Sequence, residues 1–272
     1  MDKEEKETQK DKDKVMSAAQ RAKLNLQKDP ASRVLSLVSH KLKTPLSIIN
    51  GYSEAILSQM KPSEMTSFNV KALEDINKQG EKLALLVDKL VRFSSVSSLT
   101  AGEVKKESIK IRPIFSSVST KCVVRDDALN VNSSDDTIRT RGPSIEIKCD
   151  ADIKIYADSA LVSIALEELV DNAIKFNNNA IKKVRLFHYK ENGKDVLAVA
   201  DNGVGIKEEH INKIFEKFYQ VDDFFTGQIE GWGLGLALVK RIMNLQRGAI
   251  AVRSQYGIGT IISLRFPSKD EN

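Results

Sequence analysis

The chain has 272 residues and a formal charge of +5, is 41% hydrophobic and 29% charged, and holds two cysteines and three histidines. That length fits about two domains with real cores, and nowhere do apolar residues run the roughly 20 positions a membrane helix needs. Cys122 and Cys149 cannot build a disulfide framework or a C-x-x-C zinc site, three histidines are too few for a histidine-rich metal centre, and the small, scattered charge excess does not support nucleic-acid binding.

Residues 1–14 mix lysines with acids and read as a solvated tail. They lack the apolar stretch of a secretory signal, so a cytoplasmic protein with no membrane span is expected. Val15, Ala19, Ala22 and Leu26 mark a short helix. Asp29 and Pro30 suit the cap and first position of the next one. That helix carries Leu35, Val38, Leu42, Pro45, Ile49, Tyr52 and Ile56 in alternating steps of three and four. After a break at Lys61, Pro62 and Ser63, a second helix repeats the alternation through Leu73, Ile76, Gly80, Leu83, Val87 and Leu90. The pair predicts an antiparallel helical hairpin. One hairpin leaves much of its apolar face wet, so a homodimer closing a four-helix bundle is expected.

With Leu35 at heptad position a and Val38 at d, His40 falls at f, farthest from the seam. The plain alternative is an ordinary surface histidine. Two neighbours weigh against it. Thr44 stands one turn on, at i+4, and Pro45 lies inside the helix, where it deletes a backbone hydrogen bond and bends the rod. The run Ser39-His40-Lys41-Leu42-Lys43-Thr44-Pro45-Leu46 resembles the phospho-accepting box of two-component sensor histidine kinases. The resemblance implies that His40 receives a phosphoryl group and that Thr44 orients water for dephosphorylating a partner. Lys41 departs from the acid the family places after its histidine, a group thought to act as general base on the imidazole.

Beyond Ser94–Ser98 the pattern changes. Residues 109–111, 145–147, 153–156, 184–189, 196–200 and 260–266 read as strands with helices between them, so the second domain is α/β. Residues 125–143 are polar and read as a loop insertion. A helix capped by Asp158 carries the apolar stripe Val162, Leu166, Leu169, Ala173 and Phe176. Its second stripe, Glu168, Asn172 and Lys175, sets an acid, an amide and a lysine at i, i+4 and i+7. That set suits Mg²⁺ and phosphate chemistry, although a solvated helix face would read the same. Next, the strand 196–200 ends in Asp201-Asn202-Gly203-Val204-Gly205. A carboxylate there can accept the N–H of an adenine amino group, and glycines let a ligand approach; a simple turn is the alternative. Third, Gly231-Trp232-Gly233-Leu234-Gly235 opens a helix at Leu236, where free N–H groups form an anion site. A dinucleotide fold is disfavoured by the G-x-G-x-G spacing, by the lack of a preceding strand and by the lack of a following acid.

Together with Phe215-Glu216-Lys217-Phe218, these runs resemble, in the family's order, the N, first glycine, F and second glycine boxes of the histidine-kinase catalytic domain. The wider group includes gyrase-type ATPases and heat-shock chaperones. The resemblance implies an α+β multidomain chain: the hairpin of a dimeric four-helix bundle, then an α/β sandwich of the histidine-kinase ATPase (Bergerat) type. Residues 1–29 would be tail and short helix, 30–100 the dimerisation and phosphotransfer domain, and 105–268 the catalytic domain. It implies ATP and Mg²⁺ as cofactors. Asn172, with Glu168, would hold the metal, Lys175 would meet phosphate, Phe176 would lie near adenine and Asp201 would bind its amino group. Gly203, Gly205, Gly231, Gly233, Gly235 and Leu236 would shape the lid and phosphate cradle. The segment 219–230 has no basic residue, leaving γ-phosphate contacts to Lys175, backbone donors and Lys213 or Lys217. His188 and His210 read as structural, and the cysteines as inert.

The expected activity is autophosphorylation of His40 followed by transfer to an aspartate of a response regulator, with input from a separate sensory protein. Two alternatives stay open. One is a degenerate ATP-binding kinase acting as phosphatase or regulatory scaffold, because Lys41 replaces the acid. The other is a gyrase-type ATPase with Glu168 activating water.

Overall fold

The computed structural model describes residues 42, 44–56, 67–131, 142–221 and 232–268. The tail and short helix of residues 1–29, the box residues His40, Lys41 and Lys43, the break at 61–63, most of the segment 219–230 and Gly231 lie outside them. The chain forms two compact units, Met1–Asp88 and Lys89–Asn272.

In the first unit, helix α1 (residues 44–56) keeps Pro45 buried within its first turns. Helix α2 (Ser67–Ser98) presents Asp75 and Gln79 to a groove lined on the α1 side by Ile48, Gly51, Tyr52 and Ala55. The Tyr52 hydroxyl donates to the Asp75 carboxylate, which pushes the phenol pKa up. Ala72 and Leu86 are fully buried, whereas Leu73 and Val87, both assigned to the seam from sequence, are about half exposed at 48% and 46%. The inward stripe runs through Ala72, Ile76, Leu83 and Leu86, one residue off at every second step. A bundle helix touches two neighbours, so its apolar face is wider than one seam. The single chain covers only part of it.

The second unit begins with the last turns of α2 and a 3₁₀ turn, Ala101–Glu103. Then follow β1 (Glu107–Lys110), α3 (Ile111–Val131), β2 (Ser144–Lys148), β3 (Lys154–Ala157), α4 (Ser159–Lys175), β4 (Lys183–Glu191), β5 (Lys194–Asp201), α5 (Glu208–Ile211), α6 (Gly235–Leu245), β6 (Ala249–Gln255) and β7 (Gly259–Arg265). Three sequence expectations change. The strand expected at 109–111 ends before Ile111, which opens α3. The loop expected at 125–143 is helical as far as Val131. Strand β6 has no counterpart among the expected strands, because alanine and polar residues occupy its outward positions and hide the alternation of Ile250 and Val252.

β1 and β3 pair on their own, while the main sheet runs β2-β4-β5-β7-β6. β2 and β4 are parallel, with β3 and α4 in the crossover between them; the other pairs are antiparallel. Register places Leu186, Val199, Ile262 and Val252 in one row, and His188, Leu197, Leu264 and Ile250 in another. Both rows face the helices, whose Phe115, Leu166, Leu169 and Ile242 complete the core. The next row, at the end of the sheet, is Val184, Asp201, Thr260 and Ser254. Period-two alternation thus puts Asp201 on the same face as Leu197 and Val199, turned toward the helical layer. Among the described residues no helix is long and apolar enough to cross a membrane.

Candidate functional site

Helix α4 carries the site because its ends and faces are separately determined. Asp158 caps it, its Oδ1 accepting from the Leu161 N–H at 3.1 Å. Val162, Leu166 and Ala173 press into the core at 0%, 0% and 4% exposure. One side of the helix is polar yet not solvated: Glu168 is only 4% exposed. A solvated face is therefore the wrong reading of this stripe. Buried carboxylates need partners, and the Lys89 ammonium lies 3.6 Å from Glu168 Oε2. The adjacent Glu167, also buried, pairs with Lys121 at 2.9 Å and Arg92 at 3.1 Å. These cations hold its carboxyl below the usual range against the opposing effect of burial.

The glycines show how closely the three motifs meet. A Cβ on Gly235 would stand 2.7 Å from Glu168 Oε2 and 3.6 Å from Asn172 Nδ2, so the first turn of α6 abuts the acid–amide face of α4. A Cβ on Gly203 would stand 2.4 Å from the Phe176 carbonyl oxygen and 2.9 Å from Asp201 Oδ1. That carbonyl cannot yield freely, because it accepts the Val204 N–H at 3.1 Å. Gly203→Ala should therefore cost about 1–3 kcal/mol and loosen the loop after β5. Thermal melts beside Gly102→Ala, whose Cβ would meet nothing within 4 Å, test this.

Asp201 Oδ1 accepts the Gly203 N–H at 2.8 Å. Burial pushes its carboxyl pKa up, and backbone donors at Gly203 and Thr260 oppose the shift. The side chain is thus pinned, acceptor-only when ionised, and held at the edge of the core. Asn177, 2% exposed, donates to Asn202 Oδ1 at 2.7 Å, and the Lys183 N–H donates to the same oxygen at 2.8 Å. This asparagine clamp, which ties the end of α4 to the loop after β5, was missed from the sequence. Its only signal was the run Asn177-Asn178-Asn179.

Gly205 (φ +69) approaches Gln255, and Gly233 (φ +62) approaches Phe218. Phe218 itself has φ 62, and its N–H donates to the Gly233 carbonyl at 2.7 Å. Strain of this kind at a non-glycine residue persists only where its surroundings hold it, and here it welds the segment 215–218 to the start of α6. Lys175 Nζ lies 4.8 Å from the centre of the Phe176 ring, and Leu236 is half-buried in the first turn of α6. Lys217 stacks on Phe93, 5.2 Å from the ring centre. His188 bonds Asp195 at 2.9 Å and His210 bonds the Tyr219 hydroxyl at 2.7 Å. Cys122 and Cys149 are buried free thiols, and burial pushes the Cys149 pKa up.

The structure thus brings Glu168, Asn172 and Gly235 together on the last turns of α4, and Phe176, Asp201 and Gly203 together at its C-cap. Thr44 is exposed on α1. Among the described residues no cluster of three His, Cys, Asp or Glu could enclose a metal. The set fits a hard cation held by one or two side-chain oxygens plus substrate phosphates, the usual habit of Mg²⁺.

A family model described as Histidine kinase-, DNA gyrase B-, and HSP90-like ATPase matches residues 157–270. A second, described as His Kinase A (phospho-acceptor) domain, matches residues 31–99. The sensor histidine kinase AtsR of Burkholderia thailandensis is 29% identical over 237 residues, covering 86% of this chain and 36% of that protein. The chain spans from 27% to 49% of the length of the first curated relatives it matches. Among solved structures, the histidine kinase ThkA in complex with the response regulator protein TrrA has a TM-score of 0.66 at 18% identity, covering 93% of this chain and 65% of that one. Full-length ShkA in complex with AMPPNP has a TM-score of 0.57 at 22% identity, covering 85% and 45%. At these identities the structural likeness establishes the fold.

Proposed function

The chain belongs to the family of two-component sensor histidine kinases, and we propose that it transfers the γ-phosphoryl group of ATP to His40 and from there to an aspartate of a response regulator. The observation that carries this reading is the junction of Glu168, Asn172 and the start of α6 at Gly235. An acid–amide face and a row of helix-start N–H groups then address the same phosphate chain.

Residues 105–268 form the ATP-binding part and residues 30–100 the dimerisation and phosphotransfer part, preceded by the charged tail and short helix of 1–29. Asp201 accepts the adenine amino group's hydrogen bond, with Phe176 beside the ring and Gly203 and Gly205 shaping the floor. Asn172 and Glu168 hold Mg²⁺, and Lys175 meets phosphate. Backbone N–H groups from Gly231 through Gly233 and Gly235 to Leu236 cradle the phosphates. When bound, Mg²⁺ neutralises charge on the phosphate oxygens and fixes their orientation. An imidazole nitrogen of His40 attacks the γ-phosphorus as the bond to the β–γ bridging oxygen breaks, leaving phosphohistidine and ADP. The protein contributes chiefly positioning and charge stabilisation. Thr44, exposed on α1, orients water when the phosphorylated partner is hydrolysed.

The half-exposed Leu73 and Val87 of α2 fit a second copy closing the bundle. The partner regulator is read by analogy with ThkA and its bound TrrA, and nucleotide binding by analogy with ShkA and its AMPPNP. An ATP-consuming module with two free thiols belongs in the reducing cytosol.

Incubation with γ-labelled ATP and Mg²⁺ tests the reading. It expects label that is lost in acid and kept in base. Lys41→Glu restores a carboxylate able to take the imidazole proton and should raise the initial labelling rate about tenfold or more. An unchanged or lower rate removes any role for position 41 in assisting His40.

A further inference from the structure

The last turns of α2 are fastened to the ATP-binding unit by a graded series of ties. At the far end, Val96 is 4% exposed within the core. The Arg241 guanidinium donates to the Ser97 carbonyl at 3.1 Å and to that of Leu99. One turn earlier, Arg92 meets Glu167 at 3.1 Å, and that carboxylate is shared with Lys121. The last tie is Lys89 to Glu168, at 3.6 Å the longest of the series. Of these ties it is the one that falls on the Glu168–Asn172 face; further along the helix, the Phe93 ring meets Lys217 at 5.2 Å. Lys89 is also the first residue of the second unit, and α2 runs unbroken through this boundary.

We propose that the Lys89–Glu168 ion pair is a nucleotide-released latch. In the empty site the Lys89 ammonium compensates the buried Glu168 carboxylate, which would otherwise be an uncompensated buried charge. When Mg²⁺·nucleotide occupies the Glu168–Asn172 face, a divalent cation takes over that neutralisation. Lys89 is then redundant and repelled, and it leaves. The upstream turn of α2 loses this tie to the site, while the Arg92, Val96 and Arg241 ties keep the rest docked. Site occupancy is thereby transmitted to the helix that continues into the phosphotransfer unit. The inference rests on the reading of Glu168 and Asn172 as the Mg²⁺·nucleotide face.

The test uses the full chain, with Mg²⁺·AMPPNP as the probe and no turnover. Calorimetry with and without Mg²⁺ is compared for wild type, Lys89→Met and Lys89→Arg, alongside hydrogen exchange over residues 86–98. In wild type, the probe should raise exchange around residues 86–91 and leave 95–98 protected. Lys89→Met should show that raised exchange without nucleotide and little further change. It should also bind the probe about tenfold more tightly in Mg²⁺ only, since no ion pair must be broken. Lys89→Arg, which keeps the pair, should behave as wild type. Equal affinity and an unchanged exchange pattern in Lys89→Met overturn the latch. So does weaker binding both with and without Mg²⁺, which would make Lys89 a phosphate ligand. Failure of wild type to bind the probe overturns the latch together with the nucleotide reading. Normal wild-type binding with an inert Lys89 overturns the latch alone.

Discussion

His40→Ala should abolish phosphorylation by γ-labelled ATP, lowering acid-labile label at least about 1,000-fold, while nucleotide affinity and melting temperature stay at wild-type values. The chemical part follows from the role: an alanine has no lone pair to attack phosphorus, so the covalent step has no nucleophile. The silent part follows from position. The heptad places His40 at f, away from the seam, so truncation there opens no cavity, and alanine is the better helix former. Loss of label with intact AMPPNP binding separates the acceptor from the ATP site. Label that persists, acid-labile and base-stable, in the alanine variant would refute the assignment of His40.

Asp201→Asn should weaken nucleotide binding by roughly 10- to 100-fold, the worth of a charge-assisted hydrogen bond, and should leave the fold more stable at neutral pH. The two effects have one cause. Burial raises the carboxyl pKa of Asp201 in the folded chain, so the native state holds this proton more tightly than the unfolded state does. The contribution to stability is therefore greatest below the ordinary aspartate range. It declines as pH rises toward the shifted folded value, and above that the buried charge is a standing cost. Asparagine is nearly isosteric, still accepts the Gly203 N–H, and carries no charge. Its melting temperature should match wild type in acid and exceed it as pH rises to neutrality. Nucleotide affinity should fall more steeply on acidification through the same range in wild type than in the variant, which lacks the carboxylate. Calorimetry and melts from about pH 4 to about pH 8 check both; equal stability at every pH would show that Asp201 bears no burial cost. A site residue whose replacement stabilises the fold is the expected mark of a group placed for binding.

Much of the site was legible because its chemistry is local. Asp158, Glu168, Asn172 and Lys175 sit on one helix, and the period of 3.6 shows which of them share a face. The glycines at 203, 205, 233 and 235 are visible as glycines in any reading. Their reasons are not, because each answers to backbone or side chains distant in sequence: Gly203 to Phe176, Gly205 to Gln255, Gly235 to Glu168. The same limit explains the stripe on α4. Polarity suggested a solvated face, and only packing reveals that Glu168 is 4% exposed, compensated by a lysine 79 positions earlier in the chain. Strand β6 escaped notice for the opposite reason: its partner β7 makes it a strand, although its own side chains scarcely do.

Periodicity and motif order by themselves determined the two-part architecture and pointed to the proposed acceptor box at His40 and the proposed members of the ATP site, because these depend on residues close in sequence. The tertiary structure decided which charges are buried, which glycines are obligatory and what each carboxylate faces. Those properties arise where α2, α4, α6 and β5 meet, and burial and Coulomb energy depend on distances in space that sequence separation does not encode.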